Sequence, residues 1–177
     1  GRLFRYRLLG HLVNQERRLD DYLGELEDKE LVYEERVVPE LEYTFKHALT
    51  QEAAYQGIVS ARKKEFHRRV AEGIERLYGD RLEEFYERLA YHWEHFGDKE
   101  KTLEYLIKSG KKAQSQFANE LAIDYYTKAI DLAKEMGITG DGLAGIYELR
   151  GCVYNVIGYY EEGIDDHTEA SNLYTDK

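Results

Sequence analysis

The spacing of apolar residues changes twice along the chain. Leu3, Leu8, Leu9, Leu12 and Val13 predict a short helical face, and Asn14 follows as N-cap of a second helix. There Leu19, Tyr22, Leu23 and Leu26 recur at i, i+3, i+4 and i+7, an amphipathic stripe. The period then falls to two. In LVYEERVVPELEYTF, Leu41, Tyr43 and Phe45 alternate with Glu42, Thr44 and Lys46, as in a half-buried strand. Val37 and Val38 sit across the Pro39-Glu40 turn, which predicts a hairpin. Helical spacing returns near 48–58 and over about 61–78. Ser60 is expected to cap the latter helix, with Phe66, Val70, Ile74 and Leu77 on its inner face.

Helix, helix, hairpin, helix is the order of a winged-helix-like unit, its first helix missing or held partly at the extreme N-terminus. Such a unit suggests DNA binding, which needs Arg, Lys, Asn or Gln facing the duplex. Its second helix offers Arg17 and Arg18 but continues outward with Asp20, Asp21, Glu25 and Asp28. The wing carries Glu34, Glu35, Glu40 and Glu42. Like charge against phosphate disfavours this use.

From Leu82 onward the pattern is helical throughout. Leu82, Phe85, Leu89, Trp93 and Phe96 share the inner side of a leading helix, 82–96, which Gly97 ends, and Asp98 can cap the next. Two stretches then follow one template: large apolar, small, aromatic, small, aromatic, alanine. From Ala144 it is filled by Tyr147, Gly151, Tyr154, Gly163, His167 and Ala170, with Gly158-Tyr159-Tyr160 where two helices join. From Leu103 it is filled by Leu106, Gly110, Ala113, Ala122, Tyr126 and Ala129. This is the pattern of tetratricopeptide hairpins, with repeats near 103–136 and 144–177. The starts lie 41 residues apart, several more than the usual ~34. The excess falls in MGITGDG, a glycine-rich loop expected to loosen the stacking. Small residues let antiparallel helices approach, and each hairpin needs neighbours to cover its apolar face. The last repeat ends at Lys177 without a polar capping helix, so the natural chain is expected to continue. The fold class expected is therefore mostly α: a winged-helix-like unit over 1–79, then an α-α superhelix of tetratricopeptide hairpins over 80–177.

Composition sharpens this picture. Hydrophobic residues are 42% and charged residues 34%, with a mean hydropathy of −0.68, a soluble globular profile. No apolar stretch reaches the ~18 residues of a membrane span. The N-terminal GRLFRYRLLG lacks a signal core, so the protein is expected to be cytoplasmic and off the membrane. A single proline suits a helical chain, and Cys152, the only cysteine, excludes internal disulfides and a cysteine-based zinc cage. The net charge is −10, split as −2 over residues 1–80 and −8 over 81–177, which disfavours general nucleic-acid binding. The one basic run, ARKKEFHRR, holds Arg62, Lys63, Lys64, Arg68 and Arg69. It reads either as the solvated turns of a helix or as a docking patch for an acidic partner or neighbouring domain.

Together, YTFKHALTQEAAYQGIV and the following stretch from ARKKEFHRR to YTKAIDLA resemble a region of multidomain bacterial signalling ATPases of the STAND type, often fused to cyclase or transcription-regulator domains. The resemblance covers roughly 30–177. Its most specific pieces are Phe45-Lys46-His47-Ala48-Leu49, Gln51-Glu52-Ala53-Ala54-Tyr55 and His67-Arg68-Arg69. It implies a segment joining a winged helix, which follows a P-loop ATPase module, to a tetratricopeptide sensor array that receives a partner or ligand. No G-x-x-x-x-G-K-[ST] loop occurs; Gly110-Lys111-Lys112 lacks the upstream glycine and the hydroxyl residue. The chain therefore reads as an interaction segment and not as the motor.

Candidate chemistry is sparse. His92 and His95 share a helix face, but two nitrogens do not close a metal site. Asp165 and Asp166 fit a solvated face beside the packing residue His167. His47 with Glu52 could serve as an acid–base pair, but the resemblance makes it a junction, with His47 bonding a backbone carbonyl. Nothing near Cys152 in sequence would lower its thiol pKa. No catalytic residue, metal or cofactor is therefore assigned. The first helix of each hairpin would line a concave groove through Glu104, Ile107, Lys111, Gln114 and Ser115, then Gly145, Glu148, Cys152, Asn155 and Val156. Of these, Glu104, Ile107, Lys111, Gln114, Glu148, Cys152 and Asn155 are the candidate partner-binding set. Gln114 and Asn155 can bond an extended peptide and Lys111 a carboxylate. The expected function is non-enzymatic protein binding and regulation, through a protein partner or an adjacent domain; the alternative is a DNA-binding regulator fragment.

Overall fold

A computed structural model describes residues 2–13 and 16–175, with the backbone alone at Glu16 and Arg17. Asn14, the expected N-cap, lies outside the described residues. The chain divides into two compact units, Gly1–Asp80 and Arg81–Lys177.

The first unit opens with a strand, β1 (Leu3–Arg5), followed by α1 (Tyr6–Val13) and α2 (Glu16–Asp28). Strands β2 (Val32–Arg36) and β3 (Glu42–Phe45) and helices α3 (Ala48–Gln56) and α4 (Ser60–Leu77) complete it. The three strands form an antiparallel sheet in the order β1-β3-β2. Leu3 thus belongs to a strand, where helical spacing had placed it on the first helix. Arg2 donates from its guanidinium to the Phe45 and Lys46 carbonyls at 2.9 and 3.0 Å, and Phe4 stacks on Tyr43 at 5.9 Å. Both contacts reach some forty residues along the chain, beyond any local pattern.

The third strand also changes β3. Tyr43 is buried as its alternation predicts, but Glu42 and Thr44 are buried too, because β1 makes β3 the central strand. Glu42 is tolerated there because Arg5 donates to it at 3.1 Å. The core beneath is Leu19, Leu23, Val32 and Tyr43, ringed by half-buried residues such as Phe4, Leu26 and Phe45.

Helix α4 is capped by Val59, with no side-chain cap, and Ser60 is its first helical residue. Its buried stripe is His67, Ala71 and Ile74, continuing to Tyr78, while Phe66 is 37% exposed. The inner face is thus rotated from the one that Phe66, Val70 and Leu77 suggest. Two contacts set the rotation. Gly73 lies where an added Cβ would meet Leu8 at 2.9 Å and His11 at 3.0 Å, and the Tyr78 hydroxyl donates to Glu40 at 2.6 Å.

The expected helix from residue 82 begins as a 3₁₀ turn, Gly79–Phe85, kinked at Arg81 where the second unit starts, and becomes α5 (Tyr86–Phe96). Gly97, at φ 100°, closes α5, and the Asp98 carboxylate accepts from the Lys101 amide at 2.9 Å. Helices α6 (Lys99–Ser115), α7 (Asn119–Glu135), α8 (Asp141–Val156) and α9 (Tyr160–Thr175) follow, each packed on the next. The unit is a helical-repeat-like succession of hairpins. All six template residues of α6–α7 are buried: Leu106, Gly110, Ala113, Ala122, Tyr126 and Ala129. In α8–α9, Tyr147, Gly151, Gly163 and Ala170 are buried, with Tyr154 and His167 half-buried. The extra spacing between repeats lengthens the helices: α8 starts at Asp141, takes in Gly142 and leaves only 136–140 as loop. Among the described residues no helix is long and apolar enough to cross a membrane.

Candidate protein-docking groove

Helices α6 and α8 are the first members of their hairpins, and a groove of about 480 Å³ runs between them. Ile107 and Lys111 line it from α6, one helical turn apart; Gly145, Glu148 and Cys152 line it from α8. Gly142, Ile146 and Leu149 complete the lining. The lack of side chains at Gly142 and Gly145 follows from the glycine-rich opening of α8. A Cβ added at Gly145 would meet nothing within 4 Å, so the α8 backbone is open to a ligand there. Ile146, only 3% exposed, forms the floor.

The polar groups at this groove differ in what already engages them. Lys111 is exposed, with no hydrogen bond or ion pair among the described residues. Glu148 accepts from the Tyr174 hydroxyl at 3.1 Å. The Cys152 thiol is free and exposed; the Tyr126 phenol is pushed up to about 12, by burial first and then by the Cys152 charge. The groove thus offers one uncommitted ammonium, a carboxylate held from behind, an apolar floor and a soft thiol.

Glu104, Gln114 and Asn155 are not among its lining residues. Glu104 is exposed and accepts from Lys108 at 2.6 Å. Gln114 is turned inward, where its side-chain oxygen accepts from the Tyr126 hydroxyl at 3.0 Å. Asn155 is exposed and bonded to the His167 ring at 3.2 Å. Sequence reasoning missed Gly142, Ile146 and Leu149; the glycine run was read as a loop, although Gly142, Gly145 and Leu149 share one helical face.

The basic run lies on the first turns of α4. Arg62 and Lys64 are exposed. Lys63 sits over the Tyr55 ring at 4.6 Å. Arg68 is clamped by Glu65 and Glu72 at 2.6 and 2.8 Å, which raises its already high pKa. Arg69 donates to the Leu12 carbonyl. Three of the five cations are thus engaged within their own unit.

The other candidate groups are structural. The His95 ring bonds the Tyr91 carbonyl at 2.9 Å, and His92 packs edge-on to the Tyr91 ring. The His47 carbonyl, and not its exposed ring, holds the first turn of α3 by accepting from Thr50 and Gln51. Asp166 corrects the expectation of a solvated face: it is 4% exposed and takes a bidentate pair from Arg150 at 2.7 and 2.8 Å. Arg150 also donates to Thr127 of α7 at 2.9 Å. Its charge, rather than its packing, makes this inner position acidic.

No protein-family model matches the chain, and no curated protein matches it in sequence.

Proposed function

We propose that the chain is a non-enzymatic interaction and regulatory segment of a larger cytoplasmic signalling protein, with tetratricopeptide-type hairpins that bind a protein partner or adjacent domain along the α6–α8 groove. The observation that carries this reading is the groove itself. First helices of successive hairpins supply Ile107, Lys111, Glu148 and Cys152 to one surface, with bare backbone at Gly145. Burial of the small template residues in both hairpins supports the tetratricopeptide assignment. In the first unit, the order β-α-α-β-β and the sheet order β1-β3-β2 support a winged-helix-like assignment. The resemblance to STAND-type regulatory regions supplies the signalling context.

The exposed residues on α2 include Arg18 but also Asp20, Asp21, Glu25 and Asp28. The exposed wing strand carries Glu34 and Glu35, so phosphate would meet mostly carboxylates and protein is the better ligand for this reading.

The sole cysteine gives a direct test. Cys152 is labelled with a benzophenone maleimide and irradiated in lysate of the source cells, and adducts are identified by mass spectrometry. The expected result is a discrete adduct that disappears when Gly145→Trp fills the groove. The reading is overturned if a label on Ser171→Cys of α9, in a Cys152→Ser background, captures the same proteins.

A further inference from the structure

A second cavity, of about 580 Å³, lies among α5, α6 and α7, away from the α6–α8 groove. Its apolar surface comes from Ala90 and Tyr91 of α5, Leu106 of α6, and Tyr125 and Leu132 of α7. Four carboxylates line it, Glu87, Glu94, Asp131 and Glu135, against two ammonium groups, Lys99 and Lys128.

Most of these charges are already satisfied. Lys112 reaches Glu87 at 2.8 Å and Lys99 reaches Glu135 at 2.7 Å. Lys128 is bonded to Asp124 on its own helix at 2.7 Å, although it also feels the Glu94 charge. Glu94 and Asp131 remain, exposed and in no ion pair or hydrogen bond among the described residues, although the Asp131 charge also acts on Lys134 of its own helix. They flank a cavity with two phenol rings. The Tyr91 ring is 47% exposed and braced by the His95 ring at 4.1 Å. Tyr125 takes the Lys128 ammonium at 6.0 Å from its centroid, the outer limit of a cation–π contact.

An aliphatic stem ending in a cation fits this chemistry. The stem would lie on Leu106 and Leu132, with the cation beside the two phenol rings and the two exposed carboxylates. A neutral or anionic group would gain no attraction from a lining that is net negative. We propose that this cavity receives a Lys or Arg side chain from a basic segment of a partner protein. The proposal does not rest on the α6–α8 groove.

The test is a titration of the full chain, followed through its backbone amide spectrum. The probes are an acetylated, amidated Gly-Lys-Gly-Lys-Gly peptide, its Glu counterpart and spermidine. The lysine peptide is expected to shift amides around Tyr91 and Tyr125 saturably, while the glutamate peptide leaves them in place. Glu94→Gln with Asp131→Asn is expected to weaken that affinity about tenfold, and Glu161→Gln with Glu162→Gln on α9 to leave it unchanged. Absence of a saturable shift at these amides overturns the proposal. Equal weakening by both double variants overturns it too, since only the general acidity of the surface would then be at work. Shifts with spermidine but not with the peptide would overturn it in favour of a free polyamine.

Discussion

The two hairpins of the second unit follow one template but are locked by different means. In α6–α7 the lock is steric. Gly110 faces the buried Tyr126 ring so closely that an added Cβ would sit 2.5 Å from its edge. At the same place in α8–α9, Gly151 faces Asp166 and His167, and an added Cβ would stop at 3.1–3.2 Å. Here the lock is ionic: Arg150 makes three side-chain hydrogen bonds, two to Asp166 and one across to Thr127. Its counterpart 41 residues earlier is Ser109, fully buried with a hydroxyl that bonds nothing among the described residues. The turns differ as well. Phe117, 84% exposed, holds the left-handed conformation at φ 59°, which its counterpart Gly158 holds at φ 85°. A template fixes where helices approach; the residues that meet there decide how strongly each hairpin is held.

The largest effect should come from breaking the ionic lock. Arg150→Met is expected to cost about 3 kcal/mol, because it strands the buried Asp166 carboxylate. Adding Asp166→Leu should recover most of that loss, as read by urea denaturation. Gly110→Ala comes next, at roughly 2 kcal/mol, since the enclosed Tyr126 ring has no room to retreat. Gly151→Ala should cost about half as much; equal losses would erase the distinction between the hairpins.

The turns should respond with opposite signs. Phe117→Gly is expected to stabilise the chain by about 1 kcal/mol through relief of an unfavourable φ, and Gly158→Ala to destabilise it by about 1 kcal/mol. Thermal melts of the two variants would check both. Ser109→Ala should gain roughly 0.5–1 kcal/mol by removing a buried unpaired hydroxyl. The smallest effect near neutral pH belongs to Tyr126. Its phenol rises from 10.0 to about 12 on folding, so its contribution is intact below pH 10 and fades as pH rises through 12. Unfolding midpoints in alkaline solution should fall less steeply in Tyr126→Phe. Tyr43 and Tyr78 of the first unit, each also raised to about 12, keep the remaining slope.

Legibility followed the range of the interactions. The helices of the second unit could be read because Leu106, Gly110 and Ala113 recur within one or two turns, and their burial obeys that spacing. The groove was legible in part: Ile107, Lys111, Glu148 and Cys152 meet there, because positions on consecutive first helices come together once hairpins stack. Gln114 and Asn155 were not, because Tyr126 and His167, twelve residues onward, turn them to other uses.

Local periodicity by itself determined the helical character, the hairpin and the small residues at which helices approach, since each is a property of neighbours along the chain. Tertiary structure decided the rest. Leu3–Arg5 became a strand only because β3 was there to pair with it. Asp166 turned inward only because Arg150 reached it from the neighbouring helix α8. Helix α4 took its rotation from Gly73 meeting α1 and from Tyr78 bonding Glu40. A charge or a hydrogen bond is bound to its partner's position in space, and one-dimensional spacing does not carry that position.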